Sequence, residues 1–215
     1  MVPVISFVGK SGSGKTTFLE KVVKELTGRG YSVGVIKHDA HGFEIDHEGK
    51  DSYRHKHAGA TVVALSSPEK LAVIKDVEKE WGPERIISAY LSDVDLVITE
   101  GFKKARFPKI EVVRKAHSKK PVCGKDKTLR AYVTDLDLEG KPLFGLKDYG
   151  KVASFIEKEI VGKHARTEIS LIVNGEAVSL KPFISNLLKD GVTGMIKSLK
   201  GCEGAKNIEL RIKGR

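Results

Sequence analysis

Residues 4–23 read VISFVGKSGSGKTTFLEKVV, and the fold turns on them. The apolar run from Val2 to Val8 is nearly continuous, as a strand buried on both faces requires. Leu19, Val22, Val23 and Leu26 then recur at helical spacing, so a helix is expected over Thr16–Leu26. Between the two, Gly9, Lys10, Ser11, Gly12, Ser13, Gly14, Lys15 and Thr16 match GxxxxGK(S/T) in full, in the strand-to-helix context that motif needs. Glycines let the backbone turn back on itself, so successive N–H groups face one concave nest. The following helix points its positive dipole end at that nest. Lys15 has the reach for β- and γ-phosphates, and the Thr16 hydroxyl can ligate Mg2+. Gly9 through Thr17 are therefore the candidate nucleotide-binding residues, with Lys15 as the charged contact. Lys10 has two readings: a lysine reaching across a dimer interface, or a solvated loop lysine.

Gly28 and Gly30 end the helix, and SVGVIKHD (32–39) reads as a second strand, which implies a parallel βαβ unit. Residues 40–49 are polar and aperiodic, a loop over the carboxyl edge of the sheet. A helix is expected over 50–60, strands over 61–67 and 70–76, and a helix over 77–91 broken at Gly82-Pro83. DLVITEG (95–101) is another buried strand, IEVVRK (110–115) and LRAYVTD (129–135) complete the sheet, and a helix over 147–160 closes this part. Beyond Gly162 the pattern alternates around Asn174-Gly175, a hairpin signal. Two short helices over 181–201 and a strand over 207–213 follow. The expected class is α/β: a P-loop NTPase-like, mostly parallel sheet flanked by helices, with a small C-terminal α+β appendage. The expected division is a nucleotide-binding domain over 1–163 and a module over 164–215.

A metal-bound nucleotide needs acids at neighbouring strand ends. Glu100 closes DLVIT and precedes Gly101, at the carboxyl edge where α/β sheets bind ligands. Asp39 ends the second strand and is expected beside the P-loop, able to hold Mg2+ through water or to orient the attacking water. Lys15, Asp39 and Glu100 are thus the candidate catalytic residues, and Thr16, Asp39 and Glu100 the candidate Mg2+ ligands. Asp46 and Asp51 lie nearby, Asp51 equally well placed as a helix-terminus acid. His38 and His41 have HxxH spacing, followed by His47, His55 and His57. A transition-metal site and a polar loop facing an anion are the two readings of that cluster. Lys103, Lys104 and Arg106 follow Gly101, either as a grip for a second phosphorylated ligand or as a solvated loop. Asp135, after Thr134, stands where a guanine reader often lies, or is an ordinary turn aspartate.

The formal charge of +10 calls for an anionic partner. With 7% aromatic residues and no stacking platform, nucleic acid is not the expected one. Cys123 and Cys202 are far apart with no CxxC, so a reducing, cytoplasmic setting is expected. No apolar run approaches the roughly 20 residues that span a bilayer.

GKSGSGKTT (9–17), GVIKHDAHGFEIDHEGKDSYRHKHAGA (34–60) and DLVITEGFK (95–103), in that order, resemble the MobB family of molybdopterin-guanine dinucleotide biosynthesis proteins. The resemblance covers roughly residues 1–162. It implies a homodimeric P-loop protein that binds GTP with Mg2+, hydrolyses it weakly, and assists the guanylyltransferase MobA in attaching GMP to molybdopterin. It also implies Gly9–Thr16 at the phosphates, Asp39 and Glu100 near Mg2+, and residues 49–60 bordering the nucleotide or pterin side. The chain beyond Arg166 lies outside the resemblance. A slow hydrolase is expected, because no arginine finger or water-positioning glutamine stands out. A P-loop small-molecule kinase and a nickel metallochaperone GTPase are the alternatives; the kinase wants an arginine-rich lid, the chaperone a metal-binding His cluster.

Overall fold

The computed structural model describes residues 2–39, 42–162, 169, 171–174, 176–178, 180–205, 208, 210 and 212. Six strands form a sheet of order β2-β5-β1-β6-β7-β8, every pairing parallel. They are β1 (Val4–Val8), β2 (Val33–Lys37), β5 (Leu96–Glu100), β6 (Lys109–Val113), β7 (Leu129–Thr134) and the short β8 (Leu143–Phe144). Strands β1, β5 and β6 are buried at every residue; β1 and β5 accordingly read as near-continuous apolar runs, whereas β6 alternates with the buried and partnered Lys109 and Glu111.

Helices α1 (Lys15–Gly28) and α4 (Tyr149–Ile156, continued by a π-helical turn Glu157–Val161) share one core with one face of this sheet. Phe18, Leu19, Val22 and Leu26 of α1 and Val152, Ala153 and Ile156 of α4 join Ile5, Phe7, Leu96, Ile98, Ile110, Val112, Ala131 and Val133. On the opposite face, Ile87 of α3 (Pro83–Tyr90) joins Val4, Ile36 and Val97. The period-two alternation of strand side chains accounts for the division. The same rule turns Ser6 and Thr99 to one face, where their hydroxyls pair at 2.7 Å, both fully buried.

Several sequence expectations need correction. The strands expected over 61–67 and 70–76 are present as β3 (Val62–Ser66) and β4 (Leu71–Lys75), but they form a separate antiparallel hairpin. Val62, Leu65, Leu71 and Val73 remain 37–70% exposed there, so the hairpin adds little to the core. The helix expected over 77–91 begins only at Pro83, with Gly82 extended at φ −62° and ψ 155° as its N-cap. A residue before proline is driven out of the helical region, and proline is well suited to a helix start. Helix α2 (Asp51–His57) is where it was expected.

In the C-terminal part, β9 (Leu171–Val173) and β10 (Glu176–Val178) pair antiparallel, as the Asn174-Gly175 signal implies, with Asn174 at φ 52°. The two short helices expected over 181–201 are one, α5 (Pro182–Lys197). Gly191 and Gly194 lie within it; glycine costs a helix interior only about 1 kcal/mol and need not break it. No residue of α5 is buried. The strand expected over 207–213 falls mostly outside the described residues.

Candidate functional site

The strand order β5-β1-β6 sets the site. Strand β1 ends at Val8 and runs into the glycine-rich loop, whose last glycine caps α1. Gly14 is left-handed (φ 82°, ψ 20°), a conformation open to glycine at no steric cost. Gly9 has φ 147°, and a Cβ there would lie 2.5 Å from the carbonyl oxygen of Val112 on β6, so the loop can pass that strand only without a side chain. Helix α1 has no side-chain cap and no acidic residue in its first turn. Its first N–H groups therefore keep their capacity for an anion.

Lys15 and Thr16 begin the helix. Lys15 Nζ donates to the Lys10 carbonyl at 2.7 Å, folding the side chain over the loop. Its pKa is lowered, first by burial; Lys103 and Lys37 act the same way, and Glu100 opposes them. A polyanion beside Lys15 would reverse that shift. Thr16 Oγ1 donates to Glu100 Oε1 at 2.6 Å. Glu100 is 8% exposed at the end of β5, in register with Phe7 of β1. The hydroxyl and carboxylate oxygens so joined are the hard donors Mg2+ takes, and they suit it. Lys10, Ser11, Gly12, Thr16 and Thr17 are exposed, whereas Ser13 is buried.

The remaining candidates are placed less centrally. Strand β5 lies between β2 and β1, and Asp39 stands exposed two residues beyond the end of β2. His41 lies outside the described residues; His38 pairs through Nε2 with Glu80 Oε1 at 2.9 Å and packs on the Phe102 ring. His57 stacks on Tyr53. Among the described residues, no three His, Cys, Asp or Glu side chains converge for a metal. Asp51 opens α2 and faces Arg54 at 3.6 Å, the helix-terminus role. Lys104 and Arg106 are exposed, and Lys103 is near enough to act on Lys15. Asp135 Oδ1 accepts the Lys115 amide at 2.7 Å, tying the turn after β6 to the end of β7.

Sequence reasoning missed the turn after β6. Arg114 lies against the loop: a Cβ on Gly14 would sit 3.2 Å from Arg114 Nη1, and one on Gly12 would sit 3.4 Å from the His117 ring. The available signal was of the kind that picked out Glu100: a charged residue at the carboxyl edge of a buried strand. Beneath this turn the Glu111 carboxylate accepts the Val122 and Cys123 amides at 2.5 and 2.9 Å. Lys109, 1% exposed, pairs with Asp126 at 3.0 Å and donates to Thr128 Oγ1 at 2.6 Å. The Asp126 carboxyl is held at about 2, first by the Thr128 hydroxyl, then by the Thr128 amide and Lys109. Both cysteines are free, and burial raises the Cys123 thiol.

The family model for molybdopterin guanine dinucleotide synthesis protein B, MobB, matches residues 4–135, from β1 through the end of β7. The chain is similar to a Haemophilus influenzae molybdopterin-guanine dinucleotide biosynthesis adapter protein, 37% identical over 158 residues, 73% of this chain and 88% of that one. It is similar along 97% of both chains, at 29% identity, to a putative adapter protein of the same name from Methanocaldococcus jannaschii. A match of that extent includes the C-terminal elements. A crystal structure of molybdopterin-guanine biosynthesis protein B (mobB) superposes with a TM-score of 0.59 at 35% identity, over 72% of this chain and 97% of that one. With its parallel sheet, glycine-rich loop and these matches, the chain belongs to the MobB family.

Proposed function

We propose that this protein is a GTP-binding adapter of molybdenum cofactor biosynthesis, assisting a MobA-type guanylyltransferase in attaching GMP to molybdopterin. The observation that carries it is the open N-terminus of α1 with Lys15 folded over the loop and Thr16 joined to Glu100. The loop amides bind the phosphates by hydrogen bonds directed into one concavity. Lys15 leaves the Lys10 carbonyl for a phosphate oxygen, a stronger, charge-assisted acceptor. Thr16 and Glu100 would hold Mg2+, which supplies neutralisation of the phosphate charge. Asp39 would hold Mg2+ through water or orient the attacking water. Hydrolysis is slow, the protein works as a homodimer in the cytoplasm, and GTP is its nucleotide. The relatives' names support the pathway role.

The engagement of His38 with Glu80 draws the first histidine of the HxxH pair away from a nickel site, so the metallochaperone alternative gains no support. Calorimetric titration with GTP and ATP, each with Mg2+, tests the nucleotide reading, and co-purification with a MobA-type guanylyltransferase tests the adapter role. GTP binding with slow turnover and a stable complex is the expected result. Preference for ATP with rapid transfer to a small acceptor would overturn it.

A further inference from the structure

We propose that Arg114 is a phosphate-binding residue of the nucleotide site, a cationic arm supplied from the opposite flank to Glu100. The inference rests on the nucleotide reading above and adds a residue to it.

Strand β1 has β5 on one side and β6 on the other, so the glycine-rich loop has two flanks. The Thr16–Glu100 pair occupies the β5 flank. Arg114, the first residue after β6, occupies the other, its guanidinium beside Gly14 at the N-terminus of α1. A guanidinium placed there calls for an anion; Glu111 lines the same cavity, but its carboxylate oxygens are taken by the Val122 and Cys123 amides. Arg114 makes no ion pair among the described residues, and its Nε is buried without a hydrogen-bond partner. Ser13, 2% exposed, likewise leaves its hydroxyl unpartnered. Ser13, Arg114 and His117 line one cavity of about 10 Å³, room for roughly a single water and not for a side chain. Buried polar atoms are nearly always paired, and one water in this cavity would serve the two orphans; the terminal N–H groups of Arg114 have no hydrogen-bond or ion-pair partner among the described residues.

The turn is also held in place. The Arg114 carbonyl accepts the His117 and Ser118 amides at 2.9 and 2.8 Å, Asp135 takes the Lys115 amide, and Glu111 fixes the chain at Val122 and Cys123. None of these bonds uses the Arg114 side chain. They fix the main chain from which Arg114 projects and leave its N–H fork for phosphate oxygens, which it matches in geometry.

The test compares wild type, Arg114→Gln and Arg114→Lys by calorimetric titration with GTP and Mg2+, with inorganic tripolyphosphate as a base-free competitor. Arg114→Gln is expected to weaken GTP and tripolyphosphate by a similar factor, at least about tenfold. Arg114→Lys recovers part of the loss. Thermal unfolding of the nucleotide-free protein stays unchanged, because the side chain has no internal ion pair to lose. Undiminished GTP affinity in a folded Arg114→Gln protein overturns the inference and leaves the nucleotide site standing. Loss for GTP with unchanged tripolyphosphate competition also overturns it, since the arginine would then serve the base. A wild type that binds neither ligand overturns the nucleotide reading and this inference with it.

Discussion

The Thr16 hydroxyl donates to the Glu100 carboxylate at 2.6 Å, joining the first turn of α1 to the end of β5 across 84 residues of chain. Pairing of β1 with β5 brings them together, Phe7 opposite Glu100 in register. Glu100→Gln keeps an acceptor for Thr16 but removes the charge a cation needs. GTP affinity in Mg2+ should fall at least about tenfold, the size of a lost charge-assisted contact. In EDTA it should hold or improve, because a carboxylate that repels the phosphate charge is gone. Titration with and without Mg2+ checks this; an unaltered Mg2+ dependence would remove Glu100 from the site.

Gly9 is fixed by contact as well as by torsion. Gly9→Ala drives a methyl group to 2.5 Å from the Val112 carbonyl oxygen at φ 147°. The protein is expected to lose about 1–3 kcal/mol, the usual range for overpacking. Urea denaturation measures it, and a stability equal to wild type would mean that the loop passes β6 differently.

Ser6 and Thr99 form an isolated buried pair on β1 and β5. Thr99→Val leaves the Ser6 hydroxyl without its partner, at a cost of about 1–3 kcal/mol. Ser6→Ala added to it should restore much of the loss, since two apolar groups need no bond. Additive losses in the double-mutant cycle would contradict the pairing.

Asp126 gives a pH dependence. Its carboxyl is held at about 2 against an ordinary 3.8, so the folded state favours the charged form. That stability is complete above the ordinary value and is lost as pH falls through about 2. Asp126→Asn should therefore be less stable than wild type near neutrality, with Lys109 deprived of its carboxylate, and the difference should close below about pH 2. Thermal unfolding across acid pH tests this; a constant difference would assign the effect to packing.

The loop and its flanking strand and helix were legible because all their information is contiguous: burial pattern, glycines, lysine and threonine stand within twenty residues. Glu100 was legible because a lone acid after DLVIT has few structural uses. Arg114 was not, since in VVRKAHSKK it looks like the start of a solvated charge run. Only the pairing of β6 with β1 sets it against Gly14, and strand order is not written locally. For the same reason the strand order around Asp39 was not legible: nothing near it in sequence shows that β5 lies between β2 and β1. The hairpin β3–β4 carried the right strand signals, but its detachment from the sheet depends on partners that the period-two pattern does not name.

The phosphate cradle is tested most directly by titrating Lys15→Ala with GTP and Mg2+. A folded variant with affinity reduced at least about tenfold is the expected result. An affinity equal to wild type would contradict a nucleotide site at Gly9–Thr17.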